Sequence, residues 1–565
     1  MNRKQRRAAF KRASTAGGSQ SAQLFADALR AQQQNKIDDA VRAYKRLLLL
    51  VPDHAEANNN LACMLQAQGK LAEASARFAR ALELMPQLFD QFGAICNTLL
   101  TVLPALTPAI RQASEVWPRR MPLHQLLGDK DLAVVSADPL LLTILRSSPV
   151  RDLGLERLLT VLRATLLDGT ANSSITLAFR CALAQQCFIN EYVFATTPVE
   201  EARIQQIKNN LHDIAPMRLA TLAMYVPLDT LADAKSLLDR SWPEAIDDVV
   251  TQQVREPVAE RTLRASIPRL TAIDDDVSLR VQQQYEENPY PRWMHVAGNV
   301  ETQSIDEYLR TMIPGADFVA LGERPRLDVL VAGCGTGAHP IELARKIANA
   351  DVLAIDLSLS SLAYAKRKTP DALASRLSYG QADILKLGTL GRSFDVIDAS
   401  GVLHHMADPT QGLCRLLPLL RSGGLMHLGL YSKVARRDVT AARNFIAQKD
   451  YCPTPDGIRR ARQDILASDL RGVARAADFF SMSECRDLLF HVQEHQLTIP
   501  EIKALLAENG LAFIGFVFDM PRAMHYASVF AQIKKSIADL DAWHEFETLS
   551  PDTFSGMYQF WVQKT

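Results

Sequence analysis

Three absences bound this 565-residue sequence before any motif is read. Charge of one sign is missing, because 63 basic side chains balance 63 acidic ones. No whole-protein field therefore draws the chain to nucleic acid or to an anionic membrane. A long apolar run is also missing: no stretch approaches the roughly 20 residues of a membrane span, and the start of the chain lacks the apolar segment of a secretory signal. The eight cysteines (63, 96, 181, 187, 334, 414, 452 and 485) include no C-x-x-C pair and no zinc-like spacing. Scattered thiols of this kind are expected to be reduced, in a cytoplasm. Membrane is not an expected partner, and neither is nucleic acid. One local exception is the run Arg3, Lys4, Arg6, Arg7, Lys11 and Arg12, which precedes the first acid, Asp27. Residues 1–20 read as a solvated, disordered basic tail, with contact to RNA, ribosomes or lipid as the alternative.

A chain of this length exceeds a single core and is expected to hold about three domains. Residues 21–118 open with a repeat. Leu61, Ala62, Leu65, Gly69, Ala74, Phe78, Ala81 and Pro86 mark one copy, and Ala28, Ala40, Tyr44, Leu47 and Pro52 mark another, with the two prolines 34 residues apart. Small residues at a helix crossing, one aromatic and a closing proline are what a stacked helical hairpin needs. The pattern resembles the tetratricopeptide repeat, which implies a groove for a peptide or protein partner. The alternative is that the two hairpins simply pack on the rest of the chain. Residues 119–275 have helical spacing of leucines, as in 155–167, and carry no chemical constellation.

The segment 285–293, from Tyr285 to Trp293, is different. Two prolines extend the chain, and Tyr285, Tyr290, Arg292 and Trp293 crowd together. Residues 276–320 read either as a lid, with aromatics against a ligand and Arg292 on a carboxylate, or as a clasp whose aromatics are core.

The most informative stretch follows. Val329 to Ala332 reads as a buried parallel strand. Gly333-Cys334-Gly335-Thr336-Gly337 then lets the backbone turn tightly and approach a ligand with no Cβ in the way. Asp356, nineteen residues after the last glycine, is placed to accept hydrogen bonds from both hydroxyls of a ribose. Further on come Asp383 at the end of a third strand, a fourth strand over 394–400 that runs into Val402-Leu403-His404-His405, and Gly423-Gly424 before a fifth strand. Two late apolar runs, 511–519 and 557–563, fit terminal strands.

In this order the motifs resemble the class I S-adenosylmethionine-dependent methyltransferases. The resemblance implies a C-terminal seven-stranded Rossmann-like domain over 321–565, with helical insertions at about 435–510 and 520–556. It also implies S-adenosylmethionine as cofactor, held by Gly333, Cys334, Gly335, Gly337, Asp356, Asp383 and Ser400. The acceptor, a small molecule or a protein side chain, stays unidentified. The relatives that methylate base or amide nitrogens carry an Asn/Asp-Pro-Pro-aromatic turn, and this chain has Ala399-Ser400-Gly401-Val402 there, which favours oxygen or carbon acceptors. His404 and His405 are candidate general bases. Tyr285, Tyr290, Arg292, Trp293, Arg486 and His491 are candidate lining for a substrate pocket. The whole combination resembles bacterial repeat-methyltransferase proteins.

Two other readings compete. Gly333-x-Gly335-x-x-Ala338 with Asp356 also satisfies a looser dinucleotide fingerprint, as in an NAD-dependent dehydrogenase. A non-catalytic adaptor that keeps cofactor binding and acts through its repeats is the third class. His491-x-x-Glu494-His495 has the spacing of an inverted zinc-protease motif if it lies on a helix. Embedded in an insertion of a better-supported domain, it is read as pocket or structure, and no metal is expected. Thr498 and Glu501 have the spacing of a capping box.

Overall fold

The computed structural model describes residues 20–85, 95–169, 175–208, 214–296 and 301–565. The basic run and Pro86 lie outside the described residues. The chain divides into two compact units, one ending at Arg255 and one beginning at Glu256.

The first unit is helical. Its helices Ile37–Leu50 and Leu71–Leu84 start 34 residues apart, with Ala55–Ala67 between them. Ala40, Ala57, Ala62, Ala74 and Ala81 are buried at the crossings beside Tyr44 and Phe78, so small residues let the helix axes approach. Helix Leu71–Leu84 also packs on Pro139–Ser147. There the Ser75 hydroxyl donates to Asp138 Oδ2 at 2.6 Å, while Asp138 Oδ1 caps that helix by accepting from Leu141 N–H. The hairpins and the leucine-rich middle therefore share one unit. Within it, helices Leu153–Asp168 and Leu177–Ile189 carry the apolar spacing expected of them.

The second unit is built on one sheet. Its strands are β1 (Leu327–Ala332), β2 (Ala350–Asp356), β3 (Leu377–Gln381), β4 (Phe394–Ser400), β5 (Leu420–Ser432), β6 (Gln496–Leu497), β7 (Leu511–Phe516) and β8 (Tyr558–Lys564). The order is β3-β2-β1-β4-β5-β8-β7, and β6 pairs with the end of β5 outside this path. The strands from β3 to β5 pair in parallel, while β8 runs antiparallel to both β5 and β7. Alternate residues of β1 face two separate cores: Val329 and Val331 enter one, Leu330 and Ala332 the other. Burial on both faces is why the strand reads as a continuous apolar run.

Three expectations need correction. Among the described residues the sheet has eight strands, because the insertion after β5 returns a two-residue strand to it. Gly423 and Gly424 lie inside β5, which starts at Leu420, with an irregularity in its pairing to β4. The unit begins at Glu256, ahead of 276. Helix Glu256–Arg264 packs on Leu359–Lys368, and Arg367 pairs with Glu256 at 3.0 Å and Glu260 at 2.8 Å. The insertions hold helices Arg437–Gln448, Pro455–Leu466, Met482–Phe490 and Ile499–Glu508, then Met520–Gln532 and Leu540–Leu549. The capping box at Thr498 and Glu501 is present. Among the described residues, no helix is long and apolar enough to cross a membrane.

Candidate active site

The ends of β1, β2 and β4 open on a cavity of about 260 Å³. Ligands in open α/β sheets bind at this edge, beyond the carboxyl ends of the strands. Gly333, Cys334, Gly335, Asp356, Asp383 and Ser400 line it, together with Tyr285, Tyr290 and His405. Residues spaced by four along helix Asp276–Glu287 (Val277, Val281 and Tyr285) supply one wall.

The glycine loop turns at positive φ in all three glycines, 72°, 51° and 84° at 333, 335 and 337. Their missing side chains, however, make room for protein. A Cβ on Gly333 would lie 2.2 Å from Val402 Cγ2, on Gly335 2.6 Å from the Tyr290 carbonyl oxygen, and on Gly337 2.4 Å from Ala365 Cβ. The loop is thus closely packed by protein on one side, while Gly333 and Gly335 also line the cavity. Gly337 is not among the lining residues.

The clasp is the main partner of this packing. Trp293 Nε1–H donates to the Thr336 carbonyl at 2.9 Å, and the Thr336 hydroxyl donates to the Pro291 carbonyl. Tyr364 donates its hydroxyl to the Trp293 carbonyl. The residues of this segment divide between the cavity and the packing around the loop. Tyr285 and Tyr290, stacked with ring centroids 6.3 Å apart, face the cavity. Arg292 and Trp293 do not line it and pack on Tyr364.

Asp356 is bound on both oxygens: Gly335 N–H donates to Oδ2 at 2.8 Å and Ser358 N–H to Oδ1 at 2.9 Å. Burial pushes its pKa up to about 6 in spite of these donors, with Glu286 adding like-charge repulsion. Asp383 is 1% exposed. Its Oδ1 accepts from Leu385 N–H and the Ser278 hydroxyl stands close enough to lower its pKa, while its Oδ2 has no well-aligned hydrogen-bond partner among the described residues. Burial raises this carboxyl as well. An orphaned buried acceptor on the cavity wall is costly unless a ligand donor satisfies it, and an adenine amino group fits. Cys334 is buried, and burial pushes its thiol well up, so it lines the wall as an apolar group.

The two histidines are arranged differently from the expectation. His404 Nδ1 lies 3.3 Å from the Gly429 carbonyl, His405 Nδ1 lies 2.8 Å from the Gln493 carbonyl, and the two Nε2 atoms face each other at 3.1 Å. Both Nδ1 atoms face carbonyls and carry the protons, so the two Nε2 lone pairs of the neutral pair point at each other. A general base needs a free lone pair aimed at the acceptor, and in this arrangement neither side chain offers one. Burial also drives both pKa values down. His405 instead stacks on His491 at 3.6 Å. We expect His405→Asn to destabilise the protein by about 1–3 kcal/mol, the cost of buried groups left unpaired, while cofactor affinity changes less than about threefold. Denaturant unfolding and calorimetry read these two quantities separately.

Arg486 and His491 do not line the cavity. Arg486 donates to Glu287 Oε2 at 2.8 Å and to Asn288 Oδ1 at 2.5 Å, which ties the insertion to the start of the clasp. His491 sits behind Tyr285, whose hydroxyl is 3.2 Å from His491 Nε2 and donates to Asp487 Oδ1 at 2.7 Å. The zinc-like spacing dissolves because the helix ends at Phe490. Glu494 is paired with Arg436 and Arg443, and His491 Nδ1 accepts from Gln493 N–H. Among the wall residues that escaped the sequence reading is His339, two positions after the last glycine.

Residues 329–424 match the model of a family described as a methyltransferase domain. An uncharacterised protein of Synechococcus is 28% identical over 45% of this chain and 63% of its own. Trans-aconitate 2-methyltransferase of Deinococcus radiodurans is 33% identical over 23% of this chain and 50% of its own. The chain therefore spans about half to two thirds of the length of these curated relatives. A solved structure, PKMT2 from Rickettsia typhi, covers 45% of this chain and 52% of its own at 17% identity, with a TM-score of 0.34, too remote to inform the site. Residues 329–424, which run from β1 through β4, are thus similar to a methyltransferase domain.

Proposed function

We propose that the protein transfers a methyl group from S-adenosylmethionine to a small molecule or a protein side chain, acting in the cytoplasm. The observation that carries this reading is the cavity itself. It joins the glycine loop, a carboxylate at the end of β2, the orphaned Asp383 acceptor beyond β3 and two clasp tyrosines in one space. When bound, the cofactor supplies a methyl carbon activated by positive sulfur. Asp356 then accepts from the ribose hydroxyls and Asp383 from the adenine amino group, while Tyr285, Tyr290 and Met406 exclude water beside the acceptor. The antiparallel β8 between β5 and β7 favours methyl over hydride transfer, because a dinucleotide domain has no need of it. Oxygen or carbon acceptors remain favoured by the Ala399–Val402 turn. The relatives' own substrates do not narrow the choice, since their names span trans-aconitate, phosphoethanolamine and ubiquinone biosynthesis. Calorimetric titration with S-adenosylhomocysteine tests the reading: binding is expected, and its absence together with binding of NAD would overturn it.

For the first unit, the proposal is that its hairpins are tetratricopeptide-like and hold a partner. The regular 34-residue period supports this, as does a groove lined by Phe25, Glu56, Asn59, Asn60 and Met85.

A further inference from the structure

The wall of the cavity is poor in positive charge. Among the described residues it carries two carboxylates, Asp356 and Asp383, and neither lysine nor arginine; its basic side chains are His339 and His405. S-adenosylmethionine ends in an amino acid, and the carboxylate of that end requires donors or a counter-charge when it leaves water. His405 cannot provide this, because its nitrogens are committed to His404 and to the Gln493 carbonyl.

His339 has the opposite arrangement. It stands on the first turn of helix Ala338–Lys346, and its side chain is 45% exposed where it borders the cavity. Its Nε2 lies 2.7 Å from Asp398 Oδ2, which leaves Nδ1 for a ligand. Asp398, on β4, is fixed from three sides. His427 Nδ1 on β5 approaches the same Oδ2 at 2.7 Å, Ser400 N–H donates to Oδ1 at 3.1 Å, and His427 is itself stacked on Trp561 at 5.0 Å. Two nitrogens 2.7 Å from one oxygen are at hydrogen-bond distance. Ligand atoms about 2.0–2.1 Å from a tetrahedral ion lie roughly 3.3 Å apart, so the contacts here are those of hydrogen bonds between the three side chains.

The charged groups around His339 agree. Although the side chain keeps 45% of its exposure, the protein crowded around it would by itself lower its pKa; Asp398 reverses this and Glu342 adds to it, with Lys346 opposing, so the net direction is up. Asp398 is held far below the usual carboxylate range by His339 and His427 against its own burial. Tyr308, near Asp398 and Glu342, is raised by burial and stays neutral.

Resting on the methyltransferase reading above, we propose that His339, seated on Asp398, is the counter-charge that receives the α-carboxylate of the cofactor, so that donor binding requires His339 in its charged form. Asp398 is the positioning residue behind it. The consequence is a preference for ligands that carry the carboxylate, and the preference fades as pH rises through the His339 pKa.

Calorimetric titration of the full-length protein with S-adenosylhomocysteine and with its decarboxylated analogue, from about pH 6 to about pH 9, tests this. Wild type is expected to favour S-adenosylhomocysteine by about 10- to 100-fold at the acid end, the range of a charge-assisted hydrogen bond, and to lose most of that ratio at the alkaline end. His339→Gln keeps a donor toward Asp398 and is expected to bind both ligands alike at every pH, with an unchanged affinity for the analogue. A thermal melt of the variant checks that it is folded, and if it is not, the wild-type ratio against pH decides alone. A pH-independent ratio in wild type, or a ratio retained in His339→Gln, overturns the proposal and leaves the methyltransferase reading intact. Failure of wild type to bind S-adenosylhomocysteine at all would remove that reading, and this proposal with it.

Discussion

Asp356→Ala is expected to weaken S-adenosylhomocysteine binding by about 100-fold or more, which is the loss of two hydrogen bonds to a charged acceptor. The substitution removes the ribose acceptor and also frees Gly335 N–H and Ser358 N–H, which now hold the carboxylate in place. Its pH behaviour separates binding from folding. Because the folded pKa is raised to about 6, the stability linked to this group is fully present below its unfolded value of about 3.9 and is lost as pH rises through about 6. Ligand affinity runs the other way, since the ionised form is the better acceptor, and it should fall as pH drops below about 6. Calorimetry across this range checks the direction. Binding by Asp356→Ala within about threefold of wild type would sink the ribose assignment. Together with His339, the affinity profile should be a bell, with an acid limb from Asp356 and an alkaline limb from His339.

The second large effect is at Gly333. Alanine there would be strained twice, by a φ of 72° and by a Cβ 2.2 Å from Val402 Cγ2 and 2.8 Å from Val402 Cβ. Backbone strain of about 1–3 kcal/mol and overpacking of about 1–3 kcal/mol give an expected loss of about 2–6 kcal/mol. The two parts can be told apart by Gly333→Ala in a Val402→Gly background, which removes both Val402 contacts and leaves the dihedral cost, read against Val402→Gly alone. Denaturant unfolding, followed by tryptophan fluorescence, is the measurement. Full recovery in the double variant would show that the backbone conformation matters little, and a stable single variant would refute the packing argument.

Much of the second unit was legible because its signals are local. A doubly buried parallel strand is a plain apolar run, and acids at strand ends announce themselves by spacing, as Asp356 and Asp383 do. What the sequence hid was assembled by register. His339, Asp398 and His427 are separated by 59 and 29 residues, and they meet because Asp398 pairs with His427 across β4 and β5 while His339 starts the helix after β1. No spacing rule reports such a meeting. Arg486 was misread for a related reason: its partners, Glu287 and Asn288, lie almost two hundred residues away in sequence. The histidine pair stood in the right place, but its hydrogen bonds to Gly429 and Gln493 could not be inferred from neighbouring residues. The zinc-like spacing assumed a helix that stops at Phe490.

The clasp has a consequence for how this catalytic unit can be cut and moved. The loop that begins at Gly333 is closed by groups more than forty residues upstream: the Tyr290 carbonyl against Gly335, the Trp293 indole on Thr336 and the Pro291 carbonyl on the Thr336 hydroxyl. The family match begins only at 329. A fragment trimmed to that boundary would keep every strand-end acid and lose the outer half of its own loop. The smallest transplantable piece of this protein therefore starts at about Glu256, where the helix that braces Leu359–Lys368 begins.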